Sequence, residues 1–481
     1  MKDYKHYLDK LHEIGYVNKV IHSLSYIEGI PGVKSSEVVV FENGGIGLVL
    51  SLGKEYAEVL LLTKLSVKVG EGVARTGELL KVPLSPELLG KLISPLGVSV
   101  NGETVIKKPV EERSIDNEPM GIQGRSEVKS PLETGVKIVD LVVPLGKGQR
   151  ELVVGDRKTG KTLFLMQTIL SQAAKGTVCI YAAIGKRSGE LKNTIRFIKD
   201  NNITGKVVVV ATGSADPAGL IYLTPYTAMT IAEYFRDNGQ DTLVIMDDMT
   251  AHASYYREIT LLARRFPGRS SYPGDIFYIH AKLMERAGNF EKASITVLPV
   301  AESALGDLSG YLQTNLMAMT DGHIFFDTDR YNRGIRPAVN PFLSVTRVGL
   351  QAQSPLVRDL NRQLSSFLVH LEDLRDFMHF GAEVSESLKQ NLNLGVRVEE
   401  FLRQPQLSVV PVNISIFLAS AIFGGYAKEE KREELRVIYN KVFQKYSENA
   451  QFRQLVDSSI TGTPSFTELV DKVRKTEGVM E

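Results

Sequence analysis

The sequence is almost without cysteine: among 481 residues there is one, Cys179, inside the apolar run Thr177-Val-Cys-Ile-Tyr181. A disulfide framework within the chain is excluded, a reducing compartment is expected, and Cys179 reads as a small buried hydrophobe. An excess of charge of either sign is also missing, with 57 Lys plus Arg against 56 Asp plus Glu and a formal net charge of +1. A dedicated nucleic-acid binder shows a basic excess or a basic face; the composition excludes the first and leaves a local patch open. No apolar run approaches the ~20 residues that span a bilayer. The opening stretch Met1-Lys-Asp-Tyr-Lys-His-Tyr-Leu-Asp-Lys10 contains acids and has no apolar core. It matches neither a secretory signal nor a transit peptide, and any membrane association is expected to run through partners. Low-complexity tracts and internal repeats are missing too.

What is present is the balance of a soluble globular chain, 43% hydrophobic and 23% charged. The length calls for roughly two to four domains. Tyr4, Leu8 and Leu11 share a helical face, which fits a docking arm and a frayed end equally. From residue 14 to 82 the runs Val38-Val-Val-Phe41, Ile46-Gly-Leu-Val-Leu50 and Glu58-Val-Leu-Leu-Leu62 are short and β-rich. Asn43-Gly44-Gly45, Gly70 and Gly72 punctuate them, and the spacing predicts a small barrel. Residues 83–352 alternate strand and helix patterns, which argues for a parallel sheet. Its clearest strands are Glu151-Leu-Val-Val154, Val178-Cys-Ile-Tyr181, Val207-Val-Val-Val210, Leu243-Val-Ile-Met246 and Ile295-Thr-Val-Leu298, with helices over 162–172 and 227–237. Residues 353–481 read as helical, with Leu356, Leu360, Leu364, Phe367, Leu371 and Leu374 at helical spacing, and Leu435, Tyr439 and Val442 likewise. The expectation is a multidomain α/β protein: an N-terminal β-barrel domain with a short helical arm (1–82), a central P-loop nucleotide-binding domain (83–352) and a C-terminal helical domain (353–481).

Gly155, Asp156, Arg157, Lys158, Thr159, Gly160, Lys161 and Thr162 fit the phosphate-loop pattern, after a strand and before a helix, which is the context the motif needs. Glycines let the backbone N–H groups converge on phosphates, and the helix N-terminus adds a positive dipole end. Lys161 is expected to reach the outer phosphates of ATP or ADP and the Thr162 hydroxyl to meet Mg²⁺. A second element is the carboxylate ending the apolar run Leu243-Val-Ile-Met-Asp247-Asp248. Asp247, the first residue beyond the run, is the better candidate to hold the Mg²⁺ shell through water, and Asp248 the weaker one.

With these residues in view, the sequence is similar to the alpha subunits of F-type rotary ATP synthases. The loop resembles theirs except at Lys158, where the family has glutamine; the added charge beside the phosphates is expected to tighten anion binding. Gly148-Gln-Arg-Glu-Leu152, Glu233-Tyr-Phe-Arg-Asp-Asn-Gly239, Arg264-Arg-Phe-Pro-Gly-Arg269, Tyr272-Pro-Gly-Asp275, Thr320-Asp-Gly-His-Ile-Phe325, Gly334-Ile-Arg-Pro-Ala338 and Ser344-Val-Thr-Arg-Val-Gly349 carry the likeness over roughly residues 14–425. It implies a RecA-like central domain. It also implies a non-catalytic, regulatory Mg-ATP-binding subunit of a proton- or sodium-translocating complex, alternating three-plus-three with a catalytic beta subunit around a rotor stalk and tied to a peripheral stator. The place implied is peripheral, on the cytoplasmic or equivalent face of an energy-coupling membrane. Arg347 is, by the resemblance, an arginine finger given in trans to the neighbouring catalytic site. Tyr331, Arg336, Gln404 and Gln406 match positions near the chain's own adenine.

Catalytic members of the wider group carry Gly-Glu-Arg after the strand that follows the loop helix. Here Gly185-Lys186-Arg187 stands in its place, and an ammonium can neither accept the water's proton nor orient it as an acceptor. The usual alpha pattern, glutamine then Lys-Arg-Ser, aligns only with a one-residue gap; either way no carboxylate occupies the position, and Glu190 lies four residues on. This argues against a catalytic homohexamer of the secretion type. An RNA-translocating hexameric motor would need stacking aromatics and a basic groove in the barrel, which are missing. A regulatory subunit of vacuolar type usually lacks an intact phosphate loop. From about residue 426 the likeness weakens and the N-terminal arm looks short, so a divergent F-type-like complex with altered stator attachment stays open.

Overall fold

A computed structural model describes residues 3–100, 103–379, 386–428 and 430–475. Two compact units interleave along the chain: Met1–Ser126 with Gly176–Glu302 and Ser309–Thr320, and Glu127–Lys175 with Ser303–Leu308 and Asp321–Glu481.

The first unit begins with a helix, Tyr4–Leu11, whose first turn is capped by the Asp3 carboxylate accepting from the His6 N–H. Tyr7, with Tyr4 and Leu8 beside it, packs on Val40 and Ala74, so this segment is a docked helix. The barrel follows: strands Ile14–Ile21, Leu24–Glu28, Glu37–Phe41, Ile46–Leu52, Ala57–Leu61 and Gly72–Leu79. It closes because the last strand pairs antiparallel with both the first and the third. Val17, Ile27, Val39, Phe41, Val49, Val59 and Val73 fill its interior, and closure leaves no open strand edge. The turn at Asn43-Gly44 forms because the Asn43 side chain accepts from the Gly45 N–H at 2.7 Å while Gly44 sits at φ +85°.

The same unit holds parallel strands in the order Ser294–Glu302, Thr242–Asp247, Val178–Lys186, Val207–Gly213 and Leu92–Ile93. They are buried along nearly their whole length, as continuous Val/Ile/Leu runs require. Helix Ala218–Asp237 starts nine residues earlier than the sequence pattern suggests, because Pro225 lies inside it and masks the first turns. Arg286, fully buried, donates to Glu233 at 2.7 and 2.9 Å and to the Ile115 carbonyl, which gives the glutamate of the Glu233–Gly239 motif a structural partner.

In the second unit, strand Glu151–Gly155 pairs parallel with Gly322–Phe326, and Val345–Thr346 pairs antiparallel with the start of the latter. Helix Lys161–Ala174 follows the first strand. The C-terminal part is helical, through Pro355–His379, Glu386–Leu402, Val412–Gly424, Arg432–Glu448, Ala450–Ile460 and Phe466–Arg474. The architecture is thus a β-barrel, a parallel-sheet α/β region and a helical C-terminal domain, as the sequence predicts.

Candidate nucleotide site

The loop 155–162 is shaped by close packing at one end and open space at the other. A Cβ on Gly155 would lie 2.3 Å from the Phe326 carbonyl oxygen of the paired strand, so only glycine permits the approach. Gly160 caps the helix at φ +105°, and a Cβ there would meet no heavy atom within 4 Å. Lys161 is buried, and its ammonium donates to the carbonyls of Gly155 and Asp156, each at 2.6 Å, which holds it inside the curl of the loop. Thr159 is buried and donates to the Asp156 carbonyl at 2.8 Å. Arg157, Lys158 and Thr162 are exposed, with Lys158 at φ +66°.

Asp156 behaves differently from its neighbours. Its carboxylate accepts from Ser303 Oγ at 2.6 Å, Thr328 Oγ1 at 2.7 Å and the Gly306 N–H at 3.0 Å. Burial works against its charge, but these donors and the Lys161 ammonium outweigh it and hold its pKa below the usual carboxylate range. Asp156 therefore anchors the loop, leaving its backbone to face a ligand. Thr328 also begins the short helix Thr328–Asn332, which brings Tyr331 to the same anchor. Arg336 lies over the Tyr331 ring at 3.5 Å and donates to the Tyr331 carbonyl at 2.6 Å. Gln404 is buried, accepting from the Lys137 N–H at 2.9 Å and donating to the Gly135 carbonyl at 2.7 Å. Its amide is engaged in packing the chain; Gln406 is exposed.

The strand-end carboxylates lie in the first unit. Asp247 is buried and accepts from Lys186 Nζ at 2.6 Å and from Tyr181 Oη at 2.5 Å. Burial lowers the Lys186 pKa, but Asp247 and Asp248 raise it further than that, so the ammonium stays charged. Asp248 caps helix Met249–Leu262 by accepting from the Ala251 N–H at 2.6 Å, and burial pushes its pKa up to about 6. For Mg²⁺ the fit is divided. The exposed Thr162 hydroxyl suits it, whereas the Asp247 carboxylate already carries a cation. Among the described residues no group of three or more His, Cys, Asp or Glu side chains could hold a metal by itself. Glu190 is exposed in the first turn of helix Ser188–Asp200.

Arg347 sits at the end of a fixed segment. Its N–H donates to the Asp321 carbonyl at 3.0 Å. Thr346 Oγ1 donates to the Pro144 carbonyl at 2.9 Å, and Ser344 Oγ to the Asn340 carbonyl at 2.6 Å. A Cβ on Gly349 would fall 1.7 Å from the Pro144 oxygen. The side chain of Arg347 is exposed, and its charge acts on the buried Glu151 carboxylate. Sequence reasoning missed Tyr181, Ser303 and Thr328, since none carries a local motif.

A strand, a curled glycine loop with an inward lysine, and a helix starting at that loop define a P-loop nucleotide-binding protein. Residues 135–346 match the ATP synthase alpha/beta family, nucleotide-binding domain, and residues 353–474 match the ATP synthase alpha/beta chain, C terminal domain. The chain is 39% identical over 421 residues to the ATP synthase subunit alpha of Sulfurovum sp. (strain NBC37-1), covering 86% of this chain and 83% of that protein. The chain belongs to the F-type ATP synthase alpha-subunit family. Membership carries nucleotide binding and a place in an ATPase complex.

Proposed function

We propose that this chain is the non-catalytic, regulatory subunit of a proton- or sodium-translocating ATP synthase, holding Mg-ATP or Mg-ADP with little or no turnover of its own. One observation carries the reading: at the position where catalytic relatives place a water-orienting glutamate, Lys186 is bound to Asp247 at 2.6 Å. A donor ammonium in that place gives the attacking water no acceptor. In this reading the backbone of 155–162, with Lys161, holds the phosphates and Thr162 meets the metal; Asp247 and, more weakly, Asp248 serve its water shell only in competition with Lys186. Tyr331 and Arg336 serve the adenine side, where the engagement of Gln404 favours a supporting role for it over direct contact, and Gln406 is the freer of the two.

Arg347 acts in trans, on a catalytic beta subunit of an alternating three-plus-three ring. Its exposed guanidinium on a fixed segment supports this. A central rotor stalk and a peripheral stator complete the complex, which sits on the cytoplasmic or equivalent face of its membrane. Among the described residues no helix is long and apolar enough to cross one. In this reading the chain divides into a barrel domain, 1–82, a nucleotide-binding domain, 83–352, and a helical domain, 353–481. The test is steady-state hydrolysis of excess Mg-ATP by the purified chain: bound nucleotide without turnover supports the reading, and robust turnover favours a self-sufficient homohexamer of the secretion type.

A further inference from the structure

The second unit contains a cavity of about 280 Å³ lined by Ile138, by residues of the stretch 330–342 and by residues between 368 and 432, and by none of the loop 155–162. Its charge is one-sided. Arg330, Arg333, Arg375, Arg403 and Arg432 face it, against the carboxylates Glu372 and Glu399. Three of these arginines have partners: Arg375 pairs with Glu399 at 2.6 Å, and Arg403 and Arg432 share Glu400 at 3.5 and 3.6 Å. Arg330 and Arg333 have no ion pair among the described residues. The Nε of Arg330 is shut off from solvent and has no hydrogen-bond partner among the described residues.

A buried N–H of a charged group without an acceptor is costly, and native structures rarely leave one. Burial, and next the charge of Arg333, hold the Arg330 pKa below its ordinary value, outweighing the opposing charges of Glu399, Asp327 and Glu372. A small anion in the cavity that both line would supply the acceptor that the Arg330 Nε lacks. Guanidinium forks match the oxygens of a tetrahedral oxyanion, and the bonds are charge-assisted.

We infer that this cavity is an oxyanion site of the phosphate class, with Arg330 and Arg333 as its ligands. Glu399 acts on the Arg330 charge from a distance but hydrogen-bonds Arg375, at 2.6 Å, and leaves the Arg330 Nε without an acceptor. The site is separate from the loop that takes the phosphates of a nucleotide, and the inference does not depend on how that nucleotide is used.

The test is equilibrium dialysis of radiolabelled inorganic phosphate against the purified full chain at fixed ionic strength. A Lys161→Ala background removes phosphate capture by the loop. Saturable binding at one site is expected to persist there, and to weaken about tenfold in Arg333→Gln and at least as much in Arg330→Gln, the worth of a charge-assisted hydrogen bond. Arg333 is exposed, so its variant keeps the fold even if Arg330→Gln does not, and circular dichroism checks both. Absence of saturable binding in the Lys161→Ala chain overturns the inference. So does binding that neither arginine substitution weakens.

Discussion

Lys186 and Asp247 lie 61 positions apart and meet because their strands are parallel neighbours, Val178–Lys186 beside Thr242–Asp247. The ammonium supplies, from within the chain, the positive charge that a strand-end carboxylate in a P-loop protein otherwise draws from a metal. Replacing Lys186→Gln keeps a donor near Asp247 but removes the charge that balances its carboxylate, and creates a demand for a cation. The ratio of nucleotide Kd in chelator to Kd in Mg²⁺ should then rise on the order of tenfold, equivalent to ~1.4 kcal/mol. Titration of a fluorescent nucleotide under both conditions measures it; an unchanged ratio would mean that Asp247 does not face the metal. Arg347 is the opposite case, a charge its own chain leaves exposed. In the assembled complex Arg347→Ala should lower kcat by ~10³–10⁵ while nucleotide bound to this chain is retained, and Arg347→Lys should recover little, since an ammonium lacks the planar fork. A loss below about tenfold in steady-state hydrolysis would remove Arg347 from the catalytic site. Lys186 was legible in the sequence as a missing carboxylate. Its bond to Asp247 was not, because a residue's type is local and its partner is set by strand order.

The loop element shows the same divide. Its glycines, its lysine and the helix after it follow from eight consecutive residues. The use of Asp156 does not, because Ser303 and Thr328 are 147 and 172 positions away. The helix at 218–237 was half legible for a local reason, the Pro225 within it. The two loop glycines also differ in what they tolerate. Gly155→Ala drives a methyl into the Phe326 carbonyl and should cost ~1–3 kcal/mol or more as the paired strands shift. Gly160→Ala meets open space and should cost only about 1 kcal/mol of backbone strain. Urea denaturation of both variants gives the ranking, and an equal loss would contradict the packing argument. Asp156 adds a pH dependence. Its folded pKa lies below the ordinary 3.8, so its contribution is whole above that value and is lost as pH falls through the folded pKa. Asp156→Asn should therefore flatten the acid limb of a stability–pH profile below about pH 4, and an acid limb as steep as the parent's would show that the carboxylate does not hold the loop.

At the scale of the whole molecule, the sequence made the kinds of layer visible and hid their connections. β-rich runs broken by glycine announced a barrel, but closure depends on Gly72–Leu79 pairing with strands at residues 14–16 and 37–41, which no local pattern encodes. The near-zero net charge is in keeping with a chain that works among protein neighbours. If the proposed roles of Arg347 and Lys186 hold, the chain is half of two different sites, which sets how activity should depend on composition. Hydrolysis by a catalytic beta subunit should rise as this chain is added and reach its plateau at an equimolar ratio, because each catalytic site in an alternating ring needs one arginine from a neighbour. Substituting the Arg347→Ala chain should give the same assembly by size-exclusion chromatography with the activity gone. Turnover proportional to this chain alone, with no beta subunit present, would instead place a complete site within copies of the one chain and overturn both the trans role of Arg347 and the inactivity assigned to Lys186.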